Sequence, residues 1–182
     1  MAEQALLLID LQVGFDAPSW GDRNNPRCEE NAARVLSAAR RAGWDVVHIR
    51  HHSRSPASPL RRGTPGFGWK SETAPIAGER RFVKRVNSAF INTGLTAVLE
   101  AVGIDAVTIV GLTTDHCVST TARMAENLGY DVTVIADATA TFGRTGPSGE
   151  HMTAAELHRA ALTSLSGEFA TVMDTDTWLE AR

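Results

Sequence analysis

Near the start of the chain, Ala5 to Ile9 (ALLLI) is an unbroken apolar run. A strand with one wet face alternates polar and apolar residues, so a run with no polar position has to be covered on both faces. A parallel sheet with helices on either side meets that demand. Further strand-like runs, each broken by one or two polar residues, recur at Asp45 to Ile49, Ala106 to Val110, Val132 to Ala136 and Phe169 to Met173, and Arg80 to Arg85 reads as a more polar sixth. Helical patterns lie between them. One runs from Pro26 to Arg41, with Asn25 as N-cap and Gly43 as stop. Residues 92–102 place Leu95, Val98, Leu99 and Val102 on one side, and Gly103 ends them. Cys117 opens a third pattern with Val118, Ala122, Ala125 and Leu128 at helical spacing, stopped by Gly129. Thr153 with Glu156 three residues later has the form of a capping box. Asp176 to Leu179 reads as a last short turn. Strands that alternate with helices imply crossovers of one hand, hence an α/β fold: a three-layer α-β-α sandwich around a six-stranded parallel sheet. With 182 residues, one domain over 1–182 is expected.

The bulk properties exclude more than they assign. A net charge of −3 and a pI near 6.1 give no electrostatic case for nucleic acid or an anionic membrane. Two cysteines, Cys28 and Cys117, make neither a disulfide framework nor a CxxC knuckle. No apolar run reaches membrane-spanning length. The N-terminus has no basic region ahead of its apolar run, so no signal peptide is read and a reduced, cytoplasmic setting is expected.

Residues 51–80 break the rhythm. The stretch is rich in Pro, Gly and Ser and has no sustained period. A loop this long is usually functional or mobile. It reads as a substrate-side excursion carrying Phe67 and Trp69, against the plainer alternative of a solvated loop whose aromatics pack locally.

In an open parallel sheet, ligands sit outside the carboxyl ends of the strands near the switch in strand order. Three reactive residues fall at that edge. Asp10 ends the first strand, Lys84 is near the end of the third, and Cys117 lies just past the fourth, after the polar stretch Thr113-Thr114-Asp115-His116. Each has a bland reading: a helix cap or metal ligand, an edge lysine among arginines, a core cysteine. Together they match a mechanism in which Lys84 holds a thiolate electrostatically, Asp10 moves a proton and Cys117 attacks a carbonyl. A cysteine in the first turn of a helix faces unpaired N–H groups and the positive dipole end, which favour thiolate over thiol. His116 is not assigned as a base, because neighbouring side chains at a helix start diverge.

Three motifs in order, LLLIDLQVGF, VKRVNSAF and VGLTTDHCVSTTARMA, followed by DATATF and ELHRAALTSLSGEFATV, resemble the isochorismatase-like cysteine hydrolase superfamily over nearly the whole chain. That superfamily includes nicotinamidase and N-carbamoylsarcosine amidohydrolase. The resemblance implies the Rossmann-type fold of that superfamily and a catalytic triad of Asp10, Lys84 and Cys117. It implies a cis peptide between Leu112 and Thr113, and an oxyanion hole from the backbone N–H groups of Thr113 and Cys117. Thioester chemistry on Cys117 would follow, with Asp10 as proton carrier. Phe15, Phe90 and Phe142 occupy positions that resemble pocket walls, with core packing as the alternative. Asn87 and Thr114 are candidate hydrogen-bonders at the substrate, and Phe67 and Trp69 complete the expected substrate-binding set.

The departures narrow the expectation. Nicotinamidases carry an Asp-x-His metal motif after the second strand, where this chain reads His48-Ile49-Arg50-His51-His52-Ser53 without a carboxylate. Three or four converging ligands are needed for zinc. No metal and no cofactor are therefore expected, and nicotinamidase activity is not. The expected activity is cysteine-dependent hydrolysis of a small amide, lactam or ureido compound. The 51–80 loop, with Arg61, Arg62 and the run Pro65 to Trp69, is similar to that of streptothricin-hydrolase-like members, which suggests a cyclic amide. The alternatives are vinyl-ether hydrolysis of the isochorismatase type, which needs no thiol, and a binding module that keeps the fold without turnover. The resemblance also implies a homo-oligomer, dimer or tetramer, with the Gly143–Gly149 loop and the 51–80 excursion as candidate contacts. A small-molecule substrate is expected, with neither nucleic acid nor membrane as partner.

Overall fold

The computed structural model describes residues 3–182. In chain order it begins with β1 (Glu3–Ile9), α1 (Cys28–Arg41), β2 (Asp45–His51), β3 (Arg80–Lys84), α2 (Leu95–Ala101) and β4 (Ile104–Leu112). A π-helical turn (Thr114–Val118) leads into α3 (Ser119–Asn127) and β5 (Asp131–Ala140). The short pair β6 (Arg144–Thr145) and β7 (His151–Met152), then α4 (Ala154–Leu165), β8 (Thr171–Met173) and α5 (Thr175–Glu180), complete the chain.

Among the described residues, six strands form one parallel sheet in the order β3-β2-β1-β4-β5-β8. The chain works outward from β1 in one direction, then returns to β4 on its other side. The β1/β4 boundary is therefore the switch point, where no crossover covers the carboxyl edge.

The apolar run of β1 has the two dry faces it demands. Leu6 and Leu8 pack with Val35 and Leu36 of α1 and with Trp178 of α5. Ala5, Leu7 and Ile9 face the opposite layer, with Leu95 and Leu99 of α2 and Val118, Ala122 and Ala125 around α3. Leu6 and Leu7 are both fully buried, each contributing about 2 kcal/mol of transfer free energy. Cys28, at the start of α1, is enclosed in the first of these layers.

Three local expectations change. Asn25 does not cap α1; the N-cap residue is Arg27, and Asn25 sits at φ 46°. Its Nδ2 instead donates to the carbonyls of Ala136 (3.1 Å) and Thr139 (2.7 Å), tying the loop to β5. Gly111 does not end β4, which runs on to Leu112. The backbone there has φ 123°, and a Cβ on residue 111 would lie 1.9 Å from the Ile9 carbonyl oxygen, so glycine allows β1 and β4 to touch at the switch point. Third, α3 starts at Ser119, and Cys117 belongs to the π turn before it. The capping box of α4 is present, with Thr153 and Glu156 each bonding the other's backbone N–H.

The 51–80 excursion lies against the body. Lys70 is buried and pairs with Asp16 and, at 3.2 Å, with Glu29. Glu79 receives Arg40 Nε at 2.7 Å and faces His48 Nε2 at 2.8 Å. Gly66 crosses Pro59 so closely that a Cβ would stand 2.4 Å from its carbonyl oxygen. No helix among the described residues is long and apolar enough to cross a membrane.

Candidate active site

Asp10 is the first residue beyond β1. It leaves the strand at φ 52°, while its N–H still donates to the Ile49 carbonyl at 2.8 Å. The turn carries its side chain under the β1/β4 edge, fully buried. Lys84 is the last residue of β3 and pairs in register with His51 of β2. Its stem reaches past β2, so its Nζ lies 2.6 Å from Asp10 Oδ2, 3.1 Å from Cys117 Sγ and 3.3 Å from His51 Nδ1. Cys117 is presented by the π turn, where Val118 N–H donates to the Thr113 carbonyl at 3.1 Å. Such turns recur at functional sites, because the extra residue re-aims a side chain. Asn87 Oδ1 stands 3.7 Å from Cys117 Sγ. Three strand ends thus bring Asp10, Lys84 and Cys117 together.

The electrostatics act against one local effect. Burial and then the Asp10 carboxylate push the Cys117 thiol up to about 12, and Lys84 only partly offsets them. This direction runs against the thiolate-favouring effect of its place near a helix start. A helix-end effect of under about 1 kcal/mol does not overcome full desolvation. Burial also opposes the charge on Lys84, yet Asp10 and Cys117 outweigh it and hold the lysine pKa above its ordinary value. One Asp10 oxygen is held by Lys84; the other, Oδ1, is buried with no hydrogen-bond partner among the described residues.

Asp10, His51 and Cys117 each offer a donor atom, and these lie within 4.8 Å of one another. The spacing is that of a cation site. The cation in it is the Lys84 ammonium, within 3.3 Å of all three residues. A metal ion does not fit beside it, and the carboxylate of an Asp-x-His motif has no counterpart, with Ile49 two residues before His51 and Arg50 two before His52.

A cavity of about 290 Å³ opens over these groups. Phe15, Trp20 and Phe142 form one wall as a mutually packed trio, with ring centroids 5.1 to 6.0 Å apart. Trp20 is fixed by its Nε1–H, which donates to the Gly14 carbonyl at 2.9 Å. Leu60 comes from the excursion, and Ser19, His51, Asn87, His116 and Arg144 add polar atoms. Arg144 is held by both oxygens of Asp115, to which Thr141 Oγ1 also donates at 2.5 Å. Burial tends to raise the Asp115 pKa, but Arg144 and Thr141 outweigh it and keep it below the usual range. The Leu112–Thr113 peptide is cis. Thr113 lines the cavity, and its N–H donates to no protein acceptor among the described residues.

Of the expected substrate-binding residues, Phe15, Asn87 and Phe142 line the cavity. Phe67, Trp69, Phe90 and Thr114 do not. Phe67 and Trp69 lie against the Arg50 guanidinium, at 4.0 and 4.8 Å, and Trp69 also meets His48 edge-on. The excursion's aromatics pack locally because a cation beneath them draws both rings. Phe90 stacks on Tyr130 in the core at 5.8 Å. Thr114 opens the π turn but is buried, and its Oγ1 meets His158 Nδ1 at 2.8 Å. Sequence reasoning did not single out Trp20, Leu60 or Arg144. Trp20 carries a signal, as a large aromatic in the loop that follows β1; Leu60 and Arg144 carry none.

Sheet order, switch point and the buried groups at its edge define an α/β fold with a cavity at the β1/β4 boundary, lined by Asp10 and Cys117 among others. Residues 4–177 match the family model of the isochorismatase domain, and the chain belongs to the isochorismatase family of hydrolases. It is 43% identical to the isochorismatase family protein YrdC of Bacillus subtilis, over 96% of this chain and 93% of that one. Nicotinamidase 3 of Arabidopsis thaliana is 31% identical, with 94% of this chain and 85% of the relative covered. An isochorismatase-family structure from Chromobacterium violaceum superposes with a TM-score of 0.94 at 42% identity, covering 98% of this chain and 93% of that one.

Proposed function

We propose that the protein is a cysteine hydrolase of a small amide, lactam or ureido compound, working through a thioester on Cys117. The observation that carries this is the meeting of Cys117 Sγ, 3.1 Å from Lys84 Nζ, with a carboxylate that has one oxygen to spare: Asp10 Oδ2 is taken by Lys84, and Oδ1 is buried and unpartnered among the described residues. A resting thiol needs a base at the moment of attack, and Asp10 Oδ1 is that base.

As Sγ bonds to the substrate carbonyl carbon, its proton passes to Asp10. The oxyanion is received by the N–H groups of Thr113 and Cys117, and the unpaired Thr113 N–H supports that role. Asp10 returns the proton to the leaving amine as the C–N bond breaks, which leaves the thioester. Water then attacks, its proton goes to Asp10, and the acid departs as Sγ regains a proton. Lys84 stays charged throughout. It steadies the Asp10 carboxylate at rest and the sulfur whenever that carries negative charge.

A cavity of about 290 Å³ sits at the low end of ligand pockets, which span roughly 300–1,000 Å³, and favours a small substrate. The aromatic wall favours a flat one. The similarity to a nicotinamidase supports an amide, but Lys84 at the cation position argues for a metal-free variant of that chemistry.

The test is a screen of small amides, lactams and ureido compounds for ammonia or amine release, with Cys117→Ala as blank. Activity is expected to fall at least ~10³-fold in Cys117→Ala and Cys117→Ser, since the nucleophile acts with its base as a unit. Full activity in either variant overturns the reading and returns vinyl-ether hydrolysis to first place.

A further inference from the structure

We propose that His51 is a positioning residue of this site: its Nδ1 takes the third N–H of the Lys84 ammonium and thereby sets the direction of the two that reach Asp10 and Cys117. The proposal rests on the reading of Cys117 as nucleophile for its consequence, while its geometry stands apart from that reading.

An ammonium has three N–H donors in fixed relative directions and no acceptor. The Lys84 side chain is wholly buried, so water is not at hand to take a spare donor. Three acceptors surround Nζ, at 2.6 Å (Asp10 Oδ2), 3.1 Å (Cys117 Sγ) and 3.3 Å (His51 Nδ1). Donors and acceptors match one to one. Without His51 the ammonium is free to turn, and its short bond to Asp10 then dominates over the longer one to sulfur.

The chain holds His51 for this task from two sides. It pairs in register with Lys84 itself across β2 and β3. The fully buried Gln12 grips its backbone, with Oε1 accepting from His51 N–H at 2.7 Å and Nε2 donating to the His51 carbonyl at 3.2 Å. The ring itself lines the cavity wall.

A donor-only partner requires Nδ1 to be bare, so the neutral ring carries its proton on Nε2. The titratable and charged groups facing the ring are Lys84, Asp10, His52 and Cys117. Burial first, then Lys84, hold His51 below the ordinary histidine range, and Asp10 opposes them. Protonation of His51 would remove the acceptor and set two cations side by side.

Two measurements test this. Long-range ¹H–¹⁵N correlation spectra, with His51 assigned by its loss in His51→Asn, are expected to show the Nε2–H tautomer at pH 7 in the wild type and in Cys117→Ala. An Nδ1–H tautomer or an imidazolium at that pH overturns the proposal. The second readout is the rate of Cys117 alkylation by iodoacetamide across pH. His51→Leu is expected to slow it about tenfold, the size of one lost hydrogen bond to a charged group. His51→Asn keeps an acceptor oxygen near the Nδ1 position and cannot titrate. It is expected to recover most of the rate and to lose the acid limb that histidine protonation gives the wild type. Equal rates and equal pH profiles in wild type and His51→Leu also overturn the proposal. Should no amide be turned over while the tautomer and alkylation results hold, the substrate reading falls and His51 keeps its role.

Discussion

Lys84 Nζ and Asp10 Oδ2 are 2.6 Å apart, and neither side chain is exposed. A charge pair taken wholly out of water gains little against its desolvation, but breaking it strands one charge. Lys84→Met leaves the Asp10 carboxylate alone in the core. The variant is expected to lose about 3–5 kcal/mol of stability, read by urea unfolding. The double variant Lys84→Met/Asp10→Asn is expected to recover part of that loss while remaining inactive. A single variant as stable as the wild type would show that the pair adds nothing to stability.

The contact of β1 with β4 at Gly111 allows no side chain. Gly111→Ala places a Cβ 1.9 Å from the Ile9 carbonyl oxygen at φ 123°. Both strands must shift, next to Asp10 and the π turn. A loss of roughly 3 kcal/mol or more is expected, together with the loss of Cys117 reactivity. Unchanged denaturation midpoints would show that the strands separate there at little cost.

Stability in acid is expected to depend on Glu79. Burial raises its pKa, but Arg40, the Ile76 N–H and His48 outweigh that and bring the carboxyl down to about 2. In the unfolded chain it titrates near 4.3. A depressed carboxyl stabilises fully above its unfolded value, and the contribution fades as pH falls towards the folded one. Thermal midpoints should therefore drop between roughly pH 4.5 and 2 in the wild type. Glu79→Gln is expected to begin lower at neutral pH and to show a shallower fall. Parallel curves would place the acid sensitivity elsewhere.

At the cavity mouth, Asp115 cancels the charge of Arg144, so the polar rim offers little net attraction to an anion. Asp115→Asn leaves the guanidinium uncompensated. On any pair of substrates found in the amide screen, one neutral and one carrying a carboxylate, the ratio of kcat/KM is expected to move about tenfold towards the anion. An unmoved ratio would remove Arg144 from substrate selection.

Much of this was legible in the residues. The dry run of β1, the helical spacings and the stops specify a parallel sheet because each follows from local pattern and burial. Asp10, Lys84 and Cys117 could be gathered because strand ends of one parallel sheet share an edge. What escaped depended on contacts between distant segments. The resting state of Cys117 turns on burial and on Asp10, neither visible in the helix pattern around it. Phe67 and Trp69 were drawn to Arg50, a partner that no periodicity marks. Trp20 and Arg144 reach the cavity through irregular turns. His51 looked like half of an incomplete metal motif until strand register set it beside Lys84.

The two cysteines differ in a way that makes the protein its own gauge. Burial pushes both thiols up, but Cys28 is enclosed under α1 while Cys117 opens on the cavity. A small thiol reagent therefore adds one mass increment to each intact molecule and a second only to one that has unfolded. Mass spectrometry of the treated protein counts folded molecules in a preparation, independently of any substrate.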